Sequence, residues 1–127
     1  MADIPDELLY SEEHEWVAGE NAAGAEVSVG ITEYAAAALG DIVYVEAPPV
    51  GEEVTAGEVC GELESTKAVS ELYAPVTGVV TAVNDDVIDT PETLNSQAYG
   101  DSWIIKIKVK TPNKALLSAE QYSAITD

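Results

Sequence analysis

Two stretches of the chain alternate apolar and polar residues with a period of two. Val27, Val29 and Ile31 alternate with Glu26, Ser28 and Gly30, while Trp103, Ile105, Ile107 and Val109 alternate with Ile104, Lys106, Lys108 and Lys110. Successive side chains of a strand point to opposite faces, so each stretch predicts a strand with one buried face. Residues 41–46, 59–63 and 76–83 are further runs rich in β-branched side chains, punctuated by Pro48-Pro49, Gly51, Gly57, Pro75 and Gly78. Short strands with a turn signal about every ten residues predict a sandwich or flattened barrel.

Three segments carry helical signals. Thr32 is placed to cap residues 33–39, with Gly40 just past the end, where a left-handed residue commonly stops a helix. Thr90-Pro91-Glu92 reads as a short helix start with proline in the first position. Ser118 and Gln121 have the spacing of a capping box, with Leu116, Leu117, Tyr122 and Ile125 as the expected packing face. No linker, low-complexity tract or tandem repeat divides the chain, so residues 1–127 are expected to form a single domain.

Charge narrows the function classes. The chain holds 24 acids against five lysines and no arginine, a formal net charge of −19. Such a surface repels phosphate backbones and anionic lipid, which argues against nucleic-acid or membrane-surface binding. It suits a partner with a basic docking face, and equally a surface kept acidic for solubility or high salt. The N-terminal MADIPDELLYSEEHEW lacks the apolar core of a secretory signal and the arginines of a transit peptide. No apolar run approaches the roughly 20 residues that span a bilayer. The expected location is the cytoplasm, and the lone Cys60 asks for no oxidising compartment.

One histidine and one cysteine do not make a zinc site of the usual type. Cys60 and His14 could form a nucleophile–base pair only if the fold joined them. Cys60 in a β-branched run reads instead as a packed or half-exposed strand residue. His14, among glutamates, reads as a solvated polar side chain. There is no phosphate-binding glycine loop, and with 24 acids any single carboxylate pairing is uninformative. Lysine placement is more telling. Lys106, Lys108, Lys110 and Lys114 cluster near the C-terminus, so Lys67 is the only lysine in the first 105 residues. It stands between two strand-like segments with Ser65, Ala68 and Ser70 as small neighbours. A lysine amine can be acylated, and its flexible stem then carries the amide away from the backbone. On position alone, an ordinary exposed lysine moderating local acidity explains Lys67 as well.

Glu64-Ser65-Thr66-Lys67-Ala68 resembles the lipoylation site of lipoyl domains. Biotinyl domains usually place methionine on both sides of their lysine, where this chain has Thr66 and Ala68. Leu72-Tyr73-Ala74-Pro75-Val76-x-Gly78 is similar to the strand that follows the lysine in the same domains. Further segments resemble the glycine cleavage H-protein family in particular: residues 11–16 (SEEHEW), 29–34 (VGITEY), 39–45 (LGDIVYV), 99–107 (YGDSWIIKI) and the closing 116–122 (LLSAEQY). The match runs in order along nearly the whole chain. It departs at Ser102 and Ala98, where the family often has glycine and proline, which bears on local turn geometry.

The resemblance implies a mainly β fold, a lipoyl/biotinyl-type flattened barrel-sandwich hybrid with a few short helices, one of them C-terminal. It implies lipoate attached to Lys67 at a hairpin tip, although no glycine, proline or asparagine there announces a turn. Such a carrier takes an aminomethyl group from glycine decarboxylase, gives it to an aminomethyltransferase, and passes the dithiol to dihydrolipoyl dehydrogenase. A lipoyl or octanoyl transferase or ligase would load it, and a monomer is expected. The cargo's cationic nitrogen calls for cleft carboxylates, for which Glu15 and Glu71 are the candidates. Two readings compete with the carrier: a relay donating its acyl group to other lipoyl domains, and an enzyme or acidic interaction module without the cofactor.

Overall fold

Residues 4–126 are described by the structure, a computed structural model. The chain begins with β1 (Leu9–Tyr10), β2 (Glu15–Ala18) and β3 (Glu26–Ile31), then turns into α1 (Glu33–Leu39). Strands β4 (Ile42–Glu46), β5 (Glu53–Val54), β6 (Val59–Ser65), β7 (Val69–Tyr73) and β8 (Thr77–Val83) follow. Two short helices, α2 (Asp85–Asp89) and α3 (Thr93–Ser96), and a 3-10 turn at Gly100–Ser102 lead into β9 (Ile105–Thr111) and α4 (Ala119–Thr126).

Among the described residues nine strands form two antiparallel sheets, a six-stranded one ordered β1-β2-β3-β9-β8-β5 and a three-stranded one ordered β4-β6-β7. The inward residues predicted on β3 and β9 are all buried: Val27, Val29 and Ile31, with Ile105, Ile107 and Val109. They join Val80 of β8 and, from the smaller sheet, Val45, Leu63 and Leu72 in one apolar core. Removing this apolar surface from water is the main force holding the sheets together. The mainly β sandwich with four short helices is the architecture the sequence led us to expect.

The second alternating stretch needs a correction. Trp103 and Ile104 precede β9, and Ile104 is fully buried rather than outward. Its N–H donates to the Val29 carbonyl and its own carbonyl accepts from Asn84 N–H, so this residue bridges into the core before the strand register begins. Trp103 is half-buried and receives the Lys106 ammonium over its ring at 4.9 Å.

Helix α1 matches its signals: the Thr32 side chain accepts from Ala35 N–H, and Gly40 closes the helix at φ 83°. The capping box is equally clear, since Gln121 N–H donates to Ser118 Oγ while Ser118 N–H donates to Gln121 Oε1. Ile125 is half exposed, not packed as predicted. The helix meets β1 through its first turn, where Ala119 and Tyr122 join Tyr10 and Trp16 in a second buried cluster. The Thr90-Pro91 signal is displaced: Thr90 N–H still closes α2, and α3 begins only at Thr93. Helix α2, capped by Asn84, has no counterpart among the predicted elements. Ser102 and Ala98, the positions departing from the family pattern, are both buried, and the Ala98 carbonyl accepts the Trp16 indole N–H at 2.9 Å. That ring lies so close to β3 that a Cβ on Gly30 would stand 2.6 Å from it.

Candidate functional site

Lys67 sits at the turn of the hairpin formed by β6 and β7, with an exposed side chain. Ser65 builds the turn. Its N–H donates to the Ala68 carbonyl at 2.8 Å, and its hydroxyl oxygen accepts from the N–H groups of Lys67 and Ala68. A serine hydroxyl that captures the next backbone donors replaces the glycine or asparagine a tight turn usually needs. This is the signal sequence reasoning passed over. Thr66 N–H donates to the Asp41 carbonyl, tying the tip to the segment after α1. Gly40 lies beside the Lys67 stem, where a Cβ would stand 3.3 Å from Lys67 Cε. The amine has no salt-bridge partner among the described residues.

A cleft of about 320 Å³ opens next to this hairpin. Ile31, Ala35, Ala38, Leu39 and Leu63 give it an apolar lining, and Glu13, His14, Glu15, Tyr34, Ser70 and Glu71 supply polar groups. Both predicted carboxylates therefore reach one cavity, but in different environments. Glu15 is almost completely buried. The Ser11 hydroxyl donates to Glu15 Oε1, and Tyr73 N–H donates to Oε2 at 3.2 Å. Burial pushes its carboxyl up to about 8, against the opposing pull of those two donors. Glu71 is exposed at the rim, where it accepts from the Tyr73 hydroxyl at 3.3 Å.

His14 departs from its reading as a solvated side chain. It is half-buried, lines the cleft and adopts a left-handed backbone conformation at φ 72°. Its Nδ1 lies 2.7 Å from the Tyr122 hydroxyl, which in turn lies 2.8 Å from Thr32 Oγ1, the cap of α1. The ring also sits 4.9 Å from that of Tyr34. Burial lowers its pKa, so the neutral imidazole is favoured. Cys60 is half-buried and packed against the core, as expected from its strand context. It lines a different depression from His14, and burial pushes its thiol up to about 12. The two do not form a nucleophile–base pair. Ser11, Ser70, Tyr34 and Tyr73 are site residues that sequence reasoning missed; Ser11 is local to Glu15, while the fold brings Tyr73 to Glu15 and Ser70 and Tyr34 to the cleft.

Among the described residues no three His, Cys, Asp or Glu side chains converge as a metal site. Nor, among these residues, is any helix long and apolar enough to cross a membrane.

The family model described as glycine cleavage H-protein matches residues 8–127. The glycine cleavage system H protein of Streptomyces avermitilis is 55% identical over 119 residues, covering 94% of each chain. That of Pseudoalteromonas translucida is 46% identical over 129 residues, covering 100% of this chain and 98% of its own. A crystal structure of a glycine cleavage system H protein from Mycobacterium marinum superposes with a TM-score of 0.89 at 43% identity, covering 96% of this chain and 98% of that one. The family match over residues 8–127, the identity to these relatives and the fold shared with the Mycobacterium marinum protein place the chain in the glycine cleavage H-protein family, the lipoyl carriers of the glycine cleavage system.

Proposed function

We propose that Lys67 is the residue that carries lipoate, joined to its amine through an amide, and that Glu15 and Glu71 hold the cationic cargo in the adjoining cleft. The observation that carries this reading is the position of Lys67: exposed, at a hydrogen-bonded hairpin tip, with Ser70 and Glu71 of the same hairpin lining the cleft. A tether anchored there starts at the cleft's edge. When bound, lipoate supplies a dithiolane that takes up an aminomethyl group and accepts electrons.

The chain's own residues set the conditions for that chemistry. Ser65 and Asp41 fix the tip, so the stem of Lys67 rather than the backbone provides the swing. The apolar wall of Ile31, Ala38, Leu39 and Leu63 receives a hydrocarbon chain and excludes water. Glu15 holds its proton readily while nothing positive is near, and a cation beside it favours loss of that proton. A charge-assisted contact then forms only when cargo is present.

The proposed partners are glycine decarboxylase, the aminomethyltransferase and dihydrolipoyl dehydrogenase, with a lipoyl or octanoyl transferase or ligase loading Lys67. The proposed setting is a cytoplasmic monomer with residues 1–127 as one domain; nothing in the site favours the relay reading. Tethering raises the effective concentration of the arm at each docked enzyme. The test is exchange of glycine carboxyl carbon with bicarbonate by glycine decarboxylase, using wild type and variant each treated to completion with lipoate ligase, lipoate and ATP. Wild type is expected to support exchange, and Lys67→Arg to abolish it. Equal exchange by the two would contradict the assignment.

A further inference from the structure

The outer face of the three-stranded sheet carries features that packing does not require. Its register sets Tyr44, Glu64 and Val69 side by side across β4, β6 and β7, and Glu46, Glu62 and Glu71 side by side in another row. Like charges directly opposite one another destabilise a sheet. Among the described residues no cation on the face relieves them: Lys106, Lys108 and Lys110 belong to β9 of the other sheet, and Lys110 is paired with Glu53. Large apolar side chains share the face. Tyr44 is 44% exposed, Val59 50% and Val69 61%, and a β-bulge in β4 leaves Val43 56% exposed beside Tyr44. The surface is also concave, with a depression of about 530 Å³ bounded by Glu46, Glu62, Glu71, Val59 and Val69. Exposed apolar groups ringed by charge are the layout of a protein-binding surface.

We propose that this face is the docking surface of the enzyme that acylates Lys67, and that this enzyme presents an apolar centre surrounded by lysines and arginines. The proposal rests on Lys67 being the acylated residue. Charge complementarity selects the partner's chemistry, since a second copy of a chain of net charge −19 would be repelled. Hairpin geometry selects which enzyme. The cleft opens where β7 faces Glu15 and α1, and of the glutamate row only Glu71 reaches it, whereas Glu46 and Glu62 lie on the outer side of the sheet and do not line the cleft. Enzymes that exchange cargo need the mouth of the cleft. An enzyme that forms the amide needs only the tip, and can grip the hairpin from outside. In that step the neutral Lys67 amine attacks an activated acyl donor, an acyl adenylate or acyl thioester held by the enzyme. The C–N bond forms, the C–O or C–S bond breaks, the nucleotide monophosphate or thiol leaves, and the amine gives up one proton.

The experiment measures kcat/KM for acylation by a purified lipoate ligase with lipoate and ATP at low ionic strength, following the chain by intact mass. The double variant Glu46→Lys, Glu62→Lys is expected to lose about tenfold or more, with a flatter salt dependence. Tyr44→Ser is expected to lose in the same direction, and the milder Glu46→Gln, Glu62→Gln pair less. A charge-matched control, Glu20→Lys with Glu120→Lys, lies outside the face and is expected to stay near wild type. Circular dichroism confirms folding, and each variant, once fully lipoylated, is expected to support glycine–bicarbonate exchange at the wild-type rate. Acylation rates equal to the control overturn the proposal while leaving Lys67 as the acylated lysine. Slowed exchange with unimpaired acylation also overturns it, and assigns the face to the cargo-exchanging enzymes. A wild-type chain that takes no acyl group at Lys67 removes both the proposal and the reading beneath it.

Discussion

Glu15 is one carboxyl among 24 acids, and only its surroundings set it apart. Burial raises its pKa from 4.5 to about 8, so the folded chain keeps a proton that the unfolded chain has released. The stability it contributes is therefore fully present below the unfolded value and declines as pH rises from about 4.5 through about 8. Glu15→Gln keeps one acceptor oxygen, for Tyr73 N–H, and turns its amide N–H2 toward the Ser11 hydroxyl oxygen, but has no proton to lose. Urea unfolding is expected to show the difference between Glu15→Gln and wild type moving in favour of glutamine by a few kcal/mol, on the order of 3, between about pH 5 and about pH 9. Parallel stability profiles would contradict the buried-acid account. None of this could be read along the chain. Ser11 stands four residues before Glu15, but the third member, Tyr73, arrives only through packing of β7 against β2. His14 was misjudged for the same reason, because its partner Tyr122 lies on the last helix.

Helix α4 is held chiefly by Tyr122, whose ring stacks on Tyr10 at 4.7 Å and whose hydroxyl joins His14 to the cap of α1. The C-terminal helix thus braces the wall of the cleft. Tyr122→Phe keeps the stacking and removes the hydroxyl, so that half-buried His14 Nδ1 loses its partner and Thr32 Oγ1 is left with Ala35 N–H alone. It is expected to cost about 1–3 kcal/mol in urea unfolding, and to increase hydrogen exchange at α1 and His14. A variant as stable as wild type would show that the hydroxyl carries no such link. Elements with local signals were legible in the sequence: α1 from Thr32 and Gly40, α4 from its capping box, β3 and β9 from their alternation. The two-residue strands β1 and β5 were not, since pairing rather than pattern defines them. The turn at Lys67 was hidden because a serine hydroxyl does the work expected of glycine. For that element, resemblance was a better guide than local chemistry.

With a formal net charge of −19, the whole molecule repels itself, and its lysines are segregated. Four lie on β9 or shortly after it, while Lys67 stands alone at the tip of the other sheet. Salt shortens the Debye length from about 30 Å at 0.01 M to about 10 Å at 0.1 M. The Tm is therefore expected to rise across that range, and a salt-independent Tm would contradict self-repulsion as a cost to this fold. The same segregation sharpens the test of Lys67, because acylation at random would fall mainly on the other four lysines. Peptide mass mapping of the chain purified from its native source, where glycine cleavage is active, addresses this directly. The account predicts a single lipoyl increment on the peptide containing Lys67 and bare lysines at 106, 108, 110 and 114. An unmodified Lys67, or an increment on any of those four instead, would contradict it.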